Sequence, residues 1–248
     1  MERFLFGVMY LYLYATYTTM KNYLLVILLL LCFLLGNAQD TQDGAVFDEK
    51  YLEDQFYLGL GFNFLLDRSE DVNQRSLSYN FQLGFIKDIP LNSRRNFGLG
   101  LGIGYATNSY YSNIGASEVG DIVVYEVLTS DQFKRSKLET HTVEFPLELR
   151  WRTSTLQSYK FWRIYAGAKL GYVFSGRSRL VTDEVRNGFS NPDIQDLQYG
   201  LTLSFGYNTW NIHAYYALNP LLKDGTVLDN NETIDLRVLR IGVIFYIL

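Results

Sequence analysis

Residues 142–152 read TVEFPLELRWR: Val143, Phe145, Leu147, Leu149 and Trp151 alternate with Thr142, Glu144, Pro146, Glu148, Arg150 and Arg152. A period of two marks a β-strand whose two faces meet different surroundings, because successive side chains leave the pleat on opposite sides. One face is wholly apolar and the other carries four charges. The next stretch continues the pattern, with Trp162, Ile164, Ala166, Ala168, Leu170, Tyr172 and Phe174 facing away from Arg163, Tyr165, Gly167, Lys169, Gly171 and Ser175.

Six further stretches alternate in the same way. Before this pair come Phe56–Phe64, Leu77–Phe85 and Phe97–Tyr105, the last opposed by Gly98, Gly100, Gly102 and Gly104. After it come Leu197–Phe205, Trp210–Tyr216 and Leu239–Ile247. Alternation also builds soluble β-sandwiches, so the membrane has to be argued from other features. The runs reach about 9 to 13 residues, enough for a tilted strand to cross the hydrocarbon, whereas strands of soluble domains stop near 5 or 6. The connections fall at 66–75, 88–95, 107–137, 153–159, 176–195, 208–209 and 219–235, long and short in turn. Outer-membrane barrels have that rhythm, with short periplasmic turns and longer extracellular loops. All three tryptophans, Trp151, Trp162 and Trp210, point outward at the short-turn end, as a periplasmic-side aromatic girdle would. The expected fold is all-β: an eight-stranded antiparallel up-and-down transmembrane barrel over 55–248, with both termini periplasmic.

The N-terminus agrees with export. Lys21 precedes an apolar run from Tyr23 to Leu35, and Gly36-Asn37-Ala38 follows it. These are the charged region, short apolar region and small-residue cleavage site of a secretory signal peptide, here 20–38. Met20-Lys21 reads as the natural start, so 1–19 reads as an upstream-start artefact, and 39–54 as a periplasmic segment. Cys32 is the only cysteine and lies in the apolar region after Leu30-Leu31, without the small residue that lipid attachment needs. Cleavage after Ala38 leaves 20 Lys and Arg against 25 Asp and Glu, a formal charge of −5. Such mild acidity argues against a nucleic-acid partner.

No residue set compels catalysis or metal binding, and neither an enzymatic activity nor a cofactor is expected. The glycines at 98–104 are spaced strictly by two with no helix after them, unlike a phosphate-binding loop; they would keep one inner wall clear of side chains. Glu144, Glu148, Arg150, Arg152, Arg163, Lys169 and Arg240 would share the lumen. Eight strands leave room only for side chains, so these charges are expected to pair as a plug. Pro146 lacks a ladder donor, which predicts a bulge or a broken ladder there. The two histidines allow a hydrolase alternative, His141 with Ser175 or Ser178 and Glu139 or Asp183 as orienting acid, while His213 is lumenal. Asn187-Gly188 and Asp224-Gly225 read as turns. Tyr110, Tyr111, Tyr125 and Phe133 in the long third connection could dock a partner or fold against the rim.

Arg240, Gly242, Phe245 and Ile247 resemble the C-terminal signal by which the barrel-assembly machinery recognises its clients. The run EFPLELRWRTS (144–154), followed by YKFWRIYAG (159–167), resembles the PorT family of Bacteroidota outer-membrane proteins. That resemblance implies a component of type IX secretion, the route that exports surface proteases and gliding adhesins, and implies no catalytic residues. The expected partners are outer-membrane lipid and other secretion-system or envelope proteins. The alternatives are an adhesive barrel acting through extracellular loops and a lipid A-modifying enzyme.

Overall fold

A computed structural model describes residues 55–247 except 75, 93, 121, 154–161, 185 and 208. The segments read as upstream start, signal peptide and periplasmic segment, and nearly all of the 153–159 connection, lie outside the described residues.

Eleven strands are described: β1 (Gln55–Leu66), β2 (Tyr79–Pro90), β3 (Phe97–Tyr111), β4 (Ile114–Val119), β5 (Ile122–Val127), β6 (Arg135–Arg152), β7 (Trp162–Val181), β8 (Arg186–Ser190), β9 (Leu197–Tyr207), β10 (Trp210–Ala217) and β11 (Arg237–Ile247). Eight of them, β1, β2, β3, β6, β7, β9, β10 and β11, pair antiparallel with their neighbours in chain order. The ring closes where β1 meets β11, from Phe56 opposite Ile247 to Leu66 opposite Arg237. Closure leaves the wall without an open sheet edge, whose unpaired donors and acceptors lipid could not satisfy.

The barrel is inverted relative to a soluble protein. On β6, Leu147 and Leu149 are 45% and 51% exposed while Glu148 and Arg150 between them are 2% and 0% exposed. The same alternation runs along all eight wall strands. It is the consequence of period-two patterning when the apolar face is the one that meets the outer solvent.

Three features differ from the sequence reading. The 107–137 connection is not a plain loop: β3 runs on to Tyr111, β6 starts at Arg135, and β4 and β5 form a separate hairpin between them. Likewise β7 continues to Val181 and pairs with β8, so Asn187-Gly188 lies within a strand rather than a turn. Polar residues on both faces hide this extension from hydropathy, because above the bilayer the outer face meets water. Asp224-Gly225 is a turn, with Gly225 at φ 85°. At Pro146 the ladder is broken, one of the two outcomes expected there: the β3–β6 register is the same at Leu101–Leu147 and Gly104–Glu144, no residue is inserted, and the rungs between them are missing. The third difference is a bulge at His141/Thr142, where β7 carries Phe174 as an extra residue.

Candidate functional site

The lumen is filled from the wall inward. Glu144, from β6, places one oxygen 2.8 Å from Lys169 Nζ of β7 and the other 3.3 Å from Arg240 Nη1 of β11. Lys169 also donates to Gln82 Oε1 at 2.8 Å, and Arg240 donates to Asn63 Oδ1 at 3.2 Å and to Asn108 Oδ1 at 2.7 Å. Side chains from six strands therefore meet on one carboxylate and its two cations.

A second group lies about Arg150. Its Nε donates to Glu148 Oε2 at 3.1 Å, and its Nη1 reaches Gln55 Oε1 at 3.3 Å and Asp88 Oδ1 at 3.5 Å. Arg152 takes the other oxygen of Asp88 and donates to the Arg95 carbonyl at 2.8 Å. Aromatic faces supply what carboxylates do not: Arg150 stands 4.5 Å from the Tyr165 ring, and Arg240 4.9 Å from that of Tyr215. Arg163, 5% exposed, lies 5.9 Å from the Tyr246 ring. All seven charged residues singled out in the sequence are thus inside and buried.

The eighth, Asp88, falls where the sequence reading ended the second strand. The signal was present, since the inward positions Ser78, Asn80, Gln82 and Gly84 continue by twos to Ile86 and Asp88. The β3 glycines do not leave empty wall. A Cβ on Gly100 would come within 2.6 Å of Arg150 Nε, one on Gly102 within 2.7 Å of Ile86, and one on Gly104 would collide with the Tyr57 hydroxyl. They are the positions over which large lumenal side chains lie.

At the long-loop end the connections fold together. Ile114 and Tyr125 of the hairpin, Phe189 and Ile194 of the β7–β9 connection, and Leu221, Leu228 and Ile234 of the β10–β11 connection share a buried cluster with Tyr110 and Tyr215. The Tyr125 hydroxyl accepts from Asn191 Nδ2 at 2.8 Å and donates to Asp193 Oδ2 at 3.1 Å. Burial pushes this phenol upward in pKa, outweighing the hydrogen bond from Asn191. Asn73 and Asn113 tie in the first connection, the Asn73 amide donating to Asn113 Oδ1 at 2.6 Å. Of the loop aromatics, Tyr110, Tyr125 and Phe133 are buried, the first two within this cluster. The hairpin tip remains exposed, with Val119 and Ile122 at 64% and 69%.

The hydrolase geometry does not assemble. His141 faces outward, its Nδ1 is 2.6 Å from the Tyr105 hydroxyl, and its ring packs beside those of Tyr105 and Phe174. Ser175 is its neighbour across the ladder, but Ser178 points inward to Asn191, and Asp183 pairs with Lys134. Glu139 Oε1 lies 3.7 Å from His141 and its other oxygen 2.8 Å from Lys137 Nζ. Burial pushes the Glu139 carboxyl up, and Lys137, His141 and Arg179 together hold it below its ordinary value. The Ser204 hydroxyl and His213 Nδ1 are 2.8 Å apart in the lumen, and among the described residues nothing hydrogen-bonds the other ring nitrogen. Among the described residues, no three metal-ligating side chains gather.

Trp151, Trp162 and Trp210 are 40%, 48% and 67% exposed, at the end of β6 and the starts of β7 and β10. Trp162 stacks on Phe205 at 5.3 Å, and Trp210 meets Phe245 edge-on at 4.8 Å. At the end of β11, Arg240 points inward, Gly242 lies against Gly61, and Phe245 and Ile247 face out.

A family model described as outer membrane protein beta-barrel domain matches residues 37–223. Among solved structures, Ail, the attachment invasion locus protein of Yersinia pestis, is similar at 14% identity, with 78% of this chain and 97% of that one covered and a TM-score of 0.33. A major outer membrane protein from Thermus thermophilus is similar at 12% identity, with 78% and 99% covered and a TM-score of 0.35. No curated protein matches the chain.

Proposed function

The chain belongs to the outer membrane protein beta-barrel domain family, and on that premise we propose that it is a non-conducting barrel that works by contact with other envelope proteins, as an accessory component of type IX secretion. The observation that carries the first half is the lumen. Glu144, Lys169, Arg240, Glu148, Arg150 and Asp88 interlock across it, and the folded loops cover its long-loop end. No folded cargo passes an eight-stranded barrel filled with side chains. The resemblance of 144–154 and 159–167 to the PorT family supports the second half. In this reading the short turns and both termini are periplasmic, the long loops extracellular, and the protein is not an enzyme.

Two measurements test it. Reconstituted into planar bilayers, the protein should show no steady conductance. Deleting its gene should stop export of type IX cargo and gliding, and intact export would overturn the secretion role. One observation favours a second reading, an adhesive barrel: Val119 and Ile122 at the tip of the β4–β5 hairpin are exposed, while its base is tied to the β7–β9 connection through Tyr125 and Asp193. Replacing 114–127 by a short turn separates the two, since an adhesin loses surface binding while export continues.

A further inference from the structure

The outer wall of the barrel carries a feature that the lumenal and loop-end contacts leave unused. Where β6 and β7 rise past the last β7–β9 rung at Tyr172, β8 takes the place of β9, and an open cleft of about 700 Å³ lies on this extension. Its lining holds six cations, Lys134, Arg135, Lys137, Arg177, Arg179 and Arg186, and one carboxylate, Glu139. The chain as a whole is acidic, at −4, so the cations are concentrated here against the trend of the molecule.

The ladder sets their arrangement. Lys137 lies opposite Arg179, Glu139 opposite Arg177, and Val181 lies between Arg135 and Arg186. Paired strands are about 4.8 Å apart and alternate residues on one face about 6.6 Å, so the cations form a two-dimensional grid on the outward face. Lys137 is held by Glu139 at 2.8 Å and lies 5.9 and 5.8 Å from the Tyr79 and Tyr111 rings. Among the described residues, Arg135, Arg177, Arg179 and Arg186 make no ion pair. Gly188 sits opposite Arg179, whose side chain lies over it: a Cβ there would be in van der Waals contact with Arg179 Cγ and Nε, both at 3.7 Å.

Directly below, the same face passes through Tyr105, His141 and Phe174 into Tyr172, Val143, Leu170 and Phe145, the apolar wall. A ligand filling the cleft therefore has its charge at the grid and its remaining bulk along a lipid-facing surface. We propose that this cleft binds the phosphorylated headgroup of an outer-leaflet lipid, with its acyl chains running down the β6–β7 wall. Guanidinium groups suit phosphate because their paired N–H donors match two of its oxygens. The inference rests on the loop-outward orientation above and is independent of the secretion role.

The test uses the mature chain, folded in neutral detergent and titrated with lipid A carrying both phosphates, with the same lipid dephosphorylated, and with inorganic pyrophosphate, binding being read by native mass spectrometry. The bisphosphorylated lipid should bind at least tenfold more tightly than either of the others. Arg177→Gln/Arg179→Gln/Arg186→Gln should weaken it at least tenfold, while Arg237→Gln, elsewhere on the rim, should leave it unchanged. Folding of each variant is read from the faster gel migration of the unheated barrel, and if the triple variant fails to fold, Arg179→Gln alone must show at least a threefold loss. Equal binding by a folded variant, or by the dephosphorylated lipid, would overturn the proposal. Pyrophosphate binding as tight as the lipid's would replace it with a soluble phosphate ligand.

Discussion

Replacing Glu144 by glutamine keeps the shape of the side chain and removes the one anion shared by Lys169 and Arg240. The oxygens lie 2.8 and 3.3 Å from those cations, and all three side chains are at most 5% exposed. With an effective dielectric constant of about 20, the two attractions are worth about 6 and about 5 kcal/mol before desolvation is counted. Desolvation offsets much of this in the intact cluster, but it is not recovered when a single partner is lost, and breaking a buried pair from one side costs about 3–5 kcal/mol. Two stranded cations put Glu144→Gln toward the upper part of that range. The assay is urea unfolding from lipid vesicles, followed by tryptophan fluorescence. With a slope of about 2 kcal/mol per molar urea, the midpoint should fall by about 2 M. Exchanging the whole cluster, Glu144→Leu/Lys169→Met/Arg240→Met, should recover at least half of the loss, because apolar groups of similar volume need no compensation. A Glu144→Gln midpoint shifted by the equivalent of less than about 1 kcal/mol would refute the claim that this carboxylate holds the lumen together.

Gly100→Ala should cost about 1–3 kcal/mol in the same assay, since its Cβ would meet Arg150 Nε at 2.6 Å and push the guanidinium off Glu148 and Gln55. Single-tryptophan variants retaining Trp151, Trp162 or Trp210 should be quenched alike by lipids brominated at one depth, as the three occupy the same rim. Divergent depths would remove the girdle. Single cysteines at Asn230 and at Asn92, exposed at opposite ends, test orientation: the first should react with an impermeant maleimide on whole cells, the second only after the outer membrane is opened.

The wall strands were legible because each had to satisfy lipid on one side and a polar lumen on the other. That constraint writes itself into the chain as strict alternation, and Glu144, Arg150 and Lys169 could be placed inside from parity alone. The same parity, followed two residues further, reaches Asp88, which was missed because Lys87-Asp88 reads locally as the start of a turn. The strand extensions were hidden for a physical reason. Above the bilayer the outer face of β6 and β7 is Lys137, Glu139, Arg177 and Arg179, so both faces are polar and hydropathy no longer distinguishes strand from loop.

By itself the sequence determined the number of wall strands, which residues face in, and which end carries the short turns, since all of these follow from local periodicity and connection length. Tertiary structure decided which charges meet. Glu144 is separated in sequence from Arg240 by 96 residues and Arg150 from Gln55 by 95, and the stagger of closed strands, not their order, brings them within hydrogen-bonding distance. It also decided that the loops form a shared apolar cap and that six scattered cations become one cleft. Such groupings depend on register across strands that no single segment of the chain encodes.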